Sequence, residues 1–126
     1  TIRITLRGVM STPVTPGTLT IRVKVGSTTI ATATASSLVG SASNSQFRFE
    51  TLIQNRTTGV SGTVVSSGTF TYQGASAVIV ETLDNAGATA TVDTTASNAL
   101  NVTAQWDTAD TGKIIKSVVA TIELVN

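Results

Sequence analysis

The chain has no cysteine and no histidine. The first absence excludes disulfides and thiolate chemistry. Together they exclude zinc sites of the usual kind and any His-based general base or catalytic triad. Charge is also scarce: Asp, Glu, Lys and Arg make up 12% of 126 residues, against roughly a quarter in ordinary globular domains. Threonine, serine, asparagine and glutamine must therefore carry the surface. Aromatic residues are 4% of the chain (three Phe, one Tyr, one Trp), too few to pave a sugar-binding cleft. No apolar run reaches the roughly 18 residues of a membrane helix, so no membrane span is expected. The chain opens on Thr1 rather than Met. Residues ahead of it are expected to have been removed or to belong to a longer protein.

What is present is β-branched. Thr (25), Val (15) and Ile (9) make 49 of 126 residues, against 13 Leu, Glu and Lys combined. Such side chains are stiff at χ1 and suit a pleated surface better than a helix. A helical bundle is excluded and an all-β fold expected. The length suits one domain, residues 1–126, with 1–17 read as an N-terminal strand and linker to the core at 18–126.

Period-2 alternation marks the strands. Ile2, Ile4 and Leu6 alternate with Arg3, Thr5 and Arg7. Leu19, Ile21, Val23 and Val25 alternate with Thr20, Arg22 and Lys24, and Gly26-Ser27 offers a tight turn into Thr28–Ala35. Residues 36–45 read as a flexible connection. Phe47, Phe49, Thr51 and Ile53 then share one face. A strand at 63–73, bulged near Ser66-Ser67-Gly68, carries Phe70 and Tyr72 on one face. Residues 76–83 are apolar on both faces, the pattern of a covered strand. Leu100, Val102, Ala104 and Trp106 alternate with Asn101, Thr103 and Gln105. In the last segment, 114–125, Val118, Ala120, Ile122 and Leu124 are expected on one face, with Ile115 and Val119 on the other. About eight strands with turns between them give a two-sheet antiparallel β-sandwich, jelly-roll-like, with an immunoglobulin-like sandwich as the competitor. Phe47, Phe49, Phe70, Tyr72, Trp106 and Ile122 are its expected core.

The candidate sites are few. Asp107 and Asp110 share a loop with Thr108, Thr111 and Gly112 and form a candidate partner-binding loop. Their spacing is unlike an EF-hand, and no metal or other cofactor is expected. Glu50, Glu81, Asp84, Asp93 and Glu123 have no spacing that pairs two of them for glycoside hydrolysis, so no enzymatic activity is expected. Trp106, if exposed, could stack on a sugar ring. The net charge is +1, but residues 1–60 carry +5 and residues 61–126 carry −4. Either a basic face packs on an acidic one, or the wiring interleaves the signs in space. The basic residues lack interleaved aromatics, which argues against nucleic acid as a partner.

One resemblance bears on function. Phe47-Arg48-Phe49-Glu50, Arg56-Thr57-Thr58-Gly59, the run Ser61–Tyr72 and the segment Val92–Trp106 follow one another in an order that resembles virion structural domains of tailed bacteriophages. Such domains occur on capsid decorations, head fibres and tail-associated proteins. The resemblance spans residues 18–125. Its most specific part is Asp93-Thr94-Thr95 followed by Leu100-Asn101-Val102-Thr103-Ala104-Gln105-Trp106. After the Trp this chain departs from the family's small residues with Asp107, Asp110, Lys113 and Lys116. The resemblance implies a non-enzymatic, jelly-roll-like domain on the particle surface. It implies a homotrimer that contacts other virion proteins such as the major capsid protein. The alternative is a tail-fibre domain that recognises a host glycan. Ile115 and Val119, on the second apolar face of their strand, are the candidate subunit interface.

Overall fold

A computed structural model describes residues 1–125. The alternating segments become nine strands: β1 (Ile2–Ser11), β2 (Leu19–Val25), β3 (Thr28–Ala35), β4 (Ser45–Thr57), β5 (Thr63–Gln73), β6 (Val78–Thr82), β7 (Ala90–Thr91), β8 (Leu100–Trp106) and β9 (Ile114–Leu124). They form two antiparallel sheets stacked as a sandwich. The larger has the order β6-β5-β4-β1-β9, with the two-residue β7 also paired to β5; the smaller has the order β3-β2-β8. β1 thus lies between β4 and β9, inside the larger sheet.

The core lies where the sheets overlap. Phe49, Phe70 and Tyr72 are almost fully buried. Phe70 is central: its ring centroid is 5.8 Å from that of Phe47 and 5.5 Å from that of Tyr72. From the smaller sheet, Leu19, Ile21, Val23 and Ile30 are buried, as their alternation requires. Two polar side chains enter the core as a pair, Thr51 Oγ1 and Ser66 Oγ at 3.2 Å. One hydroxyl donates to the other, and Thr51 Oγ1 also lies 3.4 Å from the Ser67 carbonyl oxygen, which lowers the cost of burying the pair.

Several expectations need correction. Residues 66–68 hold no bulge: β4 and β5 stay in register from Phe47↔Tyr72 to Asn55↔Val64. Gly68 is needed instead because a β-carbon there would run into the Glu50 carbonyl oxygen. The irregularities fall at Arg7/Gly8, Val23/Lys24 and Asn55/Thr57. β6 is not covered on both faces. It is an edge strand whose Val78 and Val80 point out from the larger sheet, each about 60% exposed. The connection 36–45 is pinned rather than free. Leu38 is buried and bridges to Gly74, and the Thr12 hydroxyl donates to the Val39 carbonyl at 2.6 Å.

Ile122, expected in the core, is 64% exposed. The reason lies in the layers. The larger sheet has β9 beyond β1, while the smaller ends at β8. β3 packs against β5, β6 and β7, so the short sheet sits over the other end of the long one. Among the described residues, nothing lies over β9 past Ile115, which packs against the core.

Candidate interaction surface at the open side

Among the described residues, β9 pairs only with β1, and β8 only with β2. Both strands therefore present unpaired backbone N–H and C=O groups on the same side of the molecule. An uncovered strand edge is a template for pairing with another chain.

The register shows which β9 side chains face inward. Ile122 stands opposite buried Ile4, and Ala120 opposite Leu6. The register then slips: Arg7 pairs with Val119 but Gly8 with Ser117, which leaves Val118 as the extra residue. Below this bulge the inward positions are Ser117 and Ile115. Ile115 therefore shares a face with Ile122, and Val119 lies on the outer face. This corrects the expectation that Ile115 and Val119 share one face. An extra residue reverses the alternation beyond it, and no composition signal announces it. Gly8 makes room for the bulge, since a β-carbon there would meet the Lys116 carbonyl and the Phe47 ring.

The result is a strand whose inner face is uncovered past Ile115, which packs against the core, and whose outer face sets Val119 among Lys116, Thr121 and Glu123. Val119 is 51% exposed, Ile122 64% and Leu124 84%. Between β8 and β9 a cleft of about 200 Å³ runs into the core, floored by Leu6, Phe49 and Phe70 and flanked by Val102, Ala104 and Ile115. Trp106, at the end of β8, is half-buried against the core rather than fully enclosed.

The β8–β9 loop joins the two strands that flank this cleft. The Asp107 carboxylate accepts a hydrogen bond from Lys113 Nζ at 2.7 Å and another from the Thr108 backbone N–H at 2.8 Å. The Lys113 ammonium is almost fully buried and lies 5.9 Å from the centroid of the Trp106 ring. The hydrogen bond from Lys113 is the main reason the Asp107 carboxyl is held below its ordinary value. Asp110 accepts from the Gly112 N–H at 2.7 Å. Both carboxylates thus shape the loop. Among the described residues, no group of three or more Asp and Glu is placed to hold a metal ion.

The remaining carboxylates are dispersed. Glu50 pairs with Arg48 at 2.6 Å, Glu123 with Arg3 at 3.5 Å, and Glu81 accepts from the Tyr72 hydroxyl at 3.0 Å. Burial is the main cause that raises the Tyr72 hydroxyl above its ordinary value. Asp84 and Asp93 accept from backbone N–H groups in their own turns.

On the outer face of the larger sheet, successive rows cross all five long strands. One runs Val80–Thr71–Arg48–Arg7–Val119; the next runs Thr82–Thr69–Glu50–Thr5–Thr121. Threonines alternate with charges along this face. Arg3, Arg7, Arg48 and Lys116 share it with Glu50 and Glu123, which pair with Arg48 and Arg3, while Arg22 and Lys24 lie on the smaller sheet and Asp84, Asp93, Asp107 and Asp110 in connections. The signs of the two halves therefore interleave in part on the larger sheet.

Compared with protein-family models, with curated proteins and with solved structures, the chain matches nothing in any of the three.

Proposed function

We propose that this chain is a structural subunit of a bacteriophage virion. In this reading it is a capsid decoration or cement protein, or a head-fibre domain, that sits on the particle surface as a homotrimer and contacts the major capsid protein. The sequence resemblance suggests the class. The observation that carries the reading is β9, an edge strand with Ile122 and Leu124 exposed on its inner face and Val119 exposed on its outer face. A strand of this kind is stable in water once other chains cover it. The mechanism is burial: copies lock together across β9, and the assembled form bridges neighbouring shell proteins. Only the assembled shell offers the full site, so binding stabilises it by mass action.

Labelling purified particles with an antibody raised against the chain tests this reading. Label over the whole shell supports decoration, and label on projecting filaments of the head supports a head fibre. Label confined to the tail, with binding to a host glycan, favours the tail-fibre receptor-binding alternative and contradicts the first reading.

A further inference from the structure

We infer that β9 of each copy pairs antiparallel with β8 of the next copy around an axis running along the strands, so that the inward face of β9 turns toward that axis. This rests on the assembly reading above and specifies its contact.

The sandwich itself poses the problem. Among the described residues, the long sheet carries β9 with nothing over its inner face past Ile115, and the short sheet stops at β8 with a free edge beside the vacant position. What fits there is an extended strand that is apolar on its inner face. β9 of a second copy has that pattern but for one position: Ile115, Ala120, Ile122 and Leu124 face inward, with Ser117 the one polar residue among them.

Direction agrees. β8 is antiparallel to β2 and β9 to β1, and the short β8–β9 loop reverses the chain between them. β8 and β9 therefore run in opposite directions. Rotation about an axis along the strands preserves the direction of each, so β9 of one copy reaches β8 of the next as an antiparallel neighbour.

Register agrees as well. A closed ring has no translation along its axis, so residues level with each other in one copy remain level across the contact. β8 ends at Trp106 and β9 begins at Ile114, so the short loop between them sets Trp106 level with the start of β9, and Val102, Ala104, Ile115 and Ser117 line the same cleft. The implied neighbours are Trp106 with Ile115, Ala104 with Ser117, Val102 with Ala120 and Leu100 with Ile122. Every one of these residues faces inward, and Val118 takes up the one-residue shift midway. The outward neighbours become Gln105 with Lys116 and Asn101 with Thr121. β8 carries no charged residue, so Lys116 and Glu123 meet no like charge there. The same contact closes with two copies or with three; three is the number in the reading above.

The absence of native cysteine makes the test clean. Asn101→Cys/Thr121→Cys places one thiol on the outer face of each sheet. Within one copy these residues point away from each other on sheets that lie about 10 Å apart, too far for a disulfide. Across the contact they are direct neighbours. Gln105→Cys/Lys116→Cys is a second pair in the same register. Circular dichroism confirms that each variant is folded, and sedimentation gives its state before oxidation. The inference expects oxidation to give covalent trimers on a denaturing gel for at least one pair, with each single-cysteine variant showing none. A covalent dimer that closes the same contact keeps the strand pairing and removes the threefold. Oligomers in sedimentation that neither pair cross-links overturn the β8–β9 contact and leave assembly standing. A chain that stays monomeric at high micromolar concentration overturns both.

Discussion

Ile4 and Ile122 stand opposite each other across the β1–β9 ladder with their side chains on the same face, yet Ile4 is 2% exposed and Ile122 64%. One strand spacing separates core from surface, because the smaller sheet ends above β1. Ile4→Ala should therefore cost about 2–5 kcal/mol, as truncation of a buried Ile does. Ile122→Ala in the dissociated chain should change stability by no more than about 0.5 kcal/mol. Urea unfolding of dilute samples checks both; equal losses would mean that β9 is covered within the single chain.

Phe70 and Trp106 give a second contrast. Phe70 is fully buried and touches two other rings, whereas Trp106 is half-buried with the Lys113 ammonium beside it. Phe70→Ala should cost about 3–5 kcal/mol. Trp106→Ala should cost less, on the order of 1–3 kcal/mol, because less of its apolar area leaves water on folding. Thermal or urea unfolding of the two variants ranks them, and a larger loss for Trp106→Ala would contradict its placement.

The Thr51–Ser66 pair should behave as a unit. Thr51→Val leaves the Ser66 hydroxyl in the core without its partner, which should cost about 1–3 kcal/mol. Thr51→Val/Ser66→Ala should cost less than the sum of the two single changes. A double-mutant cycle in urea measures the coupling; strict additivity would show that the two hydroxyls are satisfied separately.

The pH dependence follows from Asp107. Its carboxyl lies below the ordinary value of 3.8, chiefly through the hydrogen bond from Lys113. A carboxyl depressed in the folded state stabilises fully above its unfolded value, and the gain disappears as pH falls through the folded value. Wild type should therefore be more stable than Asp107→Asn near neutral pH. The gap should narrow once pH drops below the ordinary carboxylate value. Melting temperatures from neutral to strongly acidic pH test this, and a gap constant over the whole range would show that the charge contributes nothing.

Much of this fold is legible in the residues. The alternations 2–7, 19–25 and 100–106 became β1, β2 and β8, and Phe47, Phe49, Phe70 and Tyr72 are buried as their faces require. Two features are not legible. Alternation shows that residues share a face but not whether a second layer covers it, so Ile122 and Val80 read like core positions. An inserted residue such as Val118 reverses a face without changing composition, so Ile115 and Val119 read as neighbours when they are not. The engagement of Asp107 by Lys113 depends on loop geometry, which the pattern of carboxylates does not reveal.

The most direct test of the β9 account is sedimentation velocity of the wild-type chain beside Ile122→Asp/Leu124→Asp across a concentration series. The account predicts that wild type moves toward three times the monomer mass as concentration rises, while the folded variant remains monomeric. A wild type that stays monomeric to high micromolar concentration, or a variant that associates as well as wild type, would contradict it.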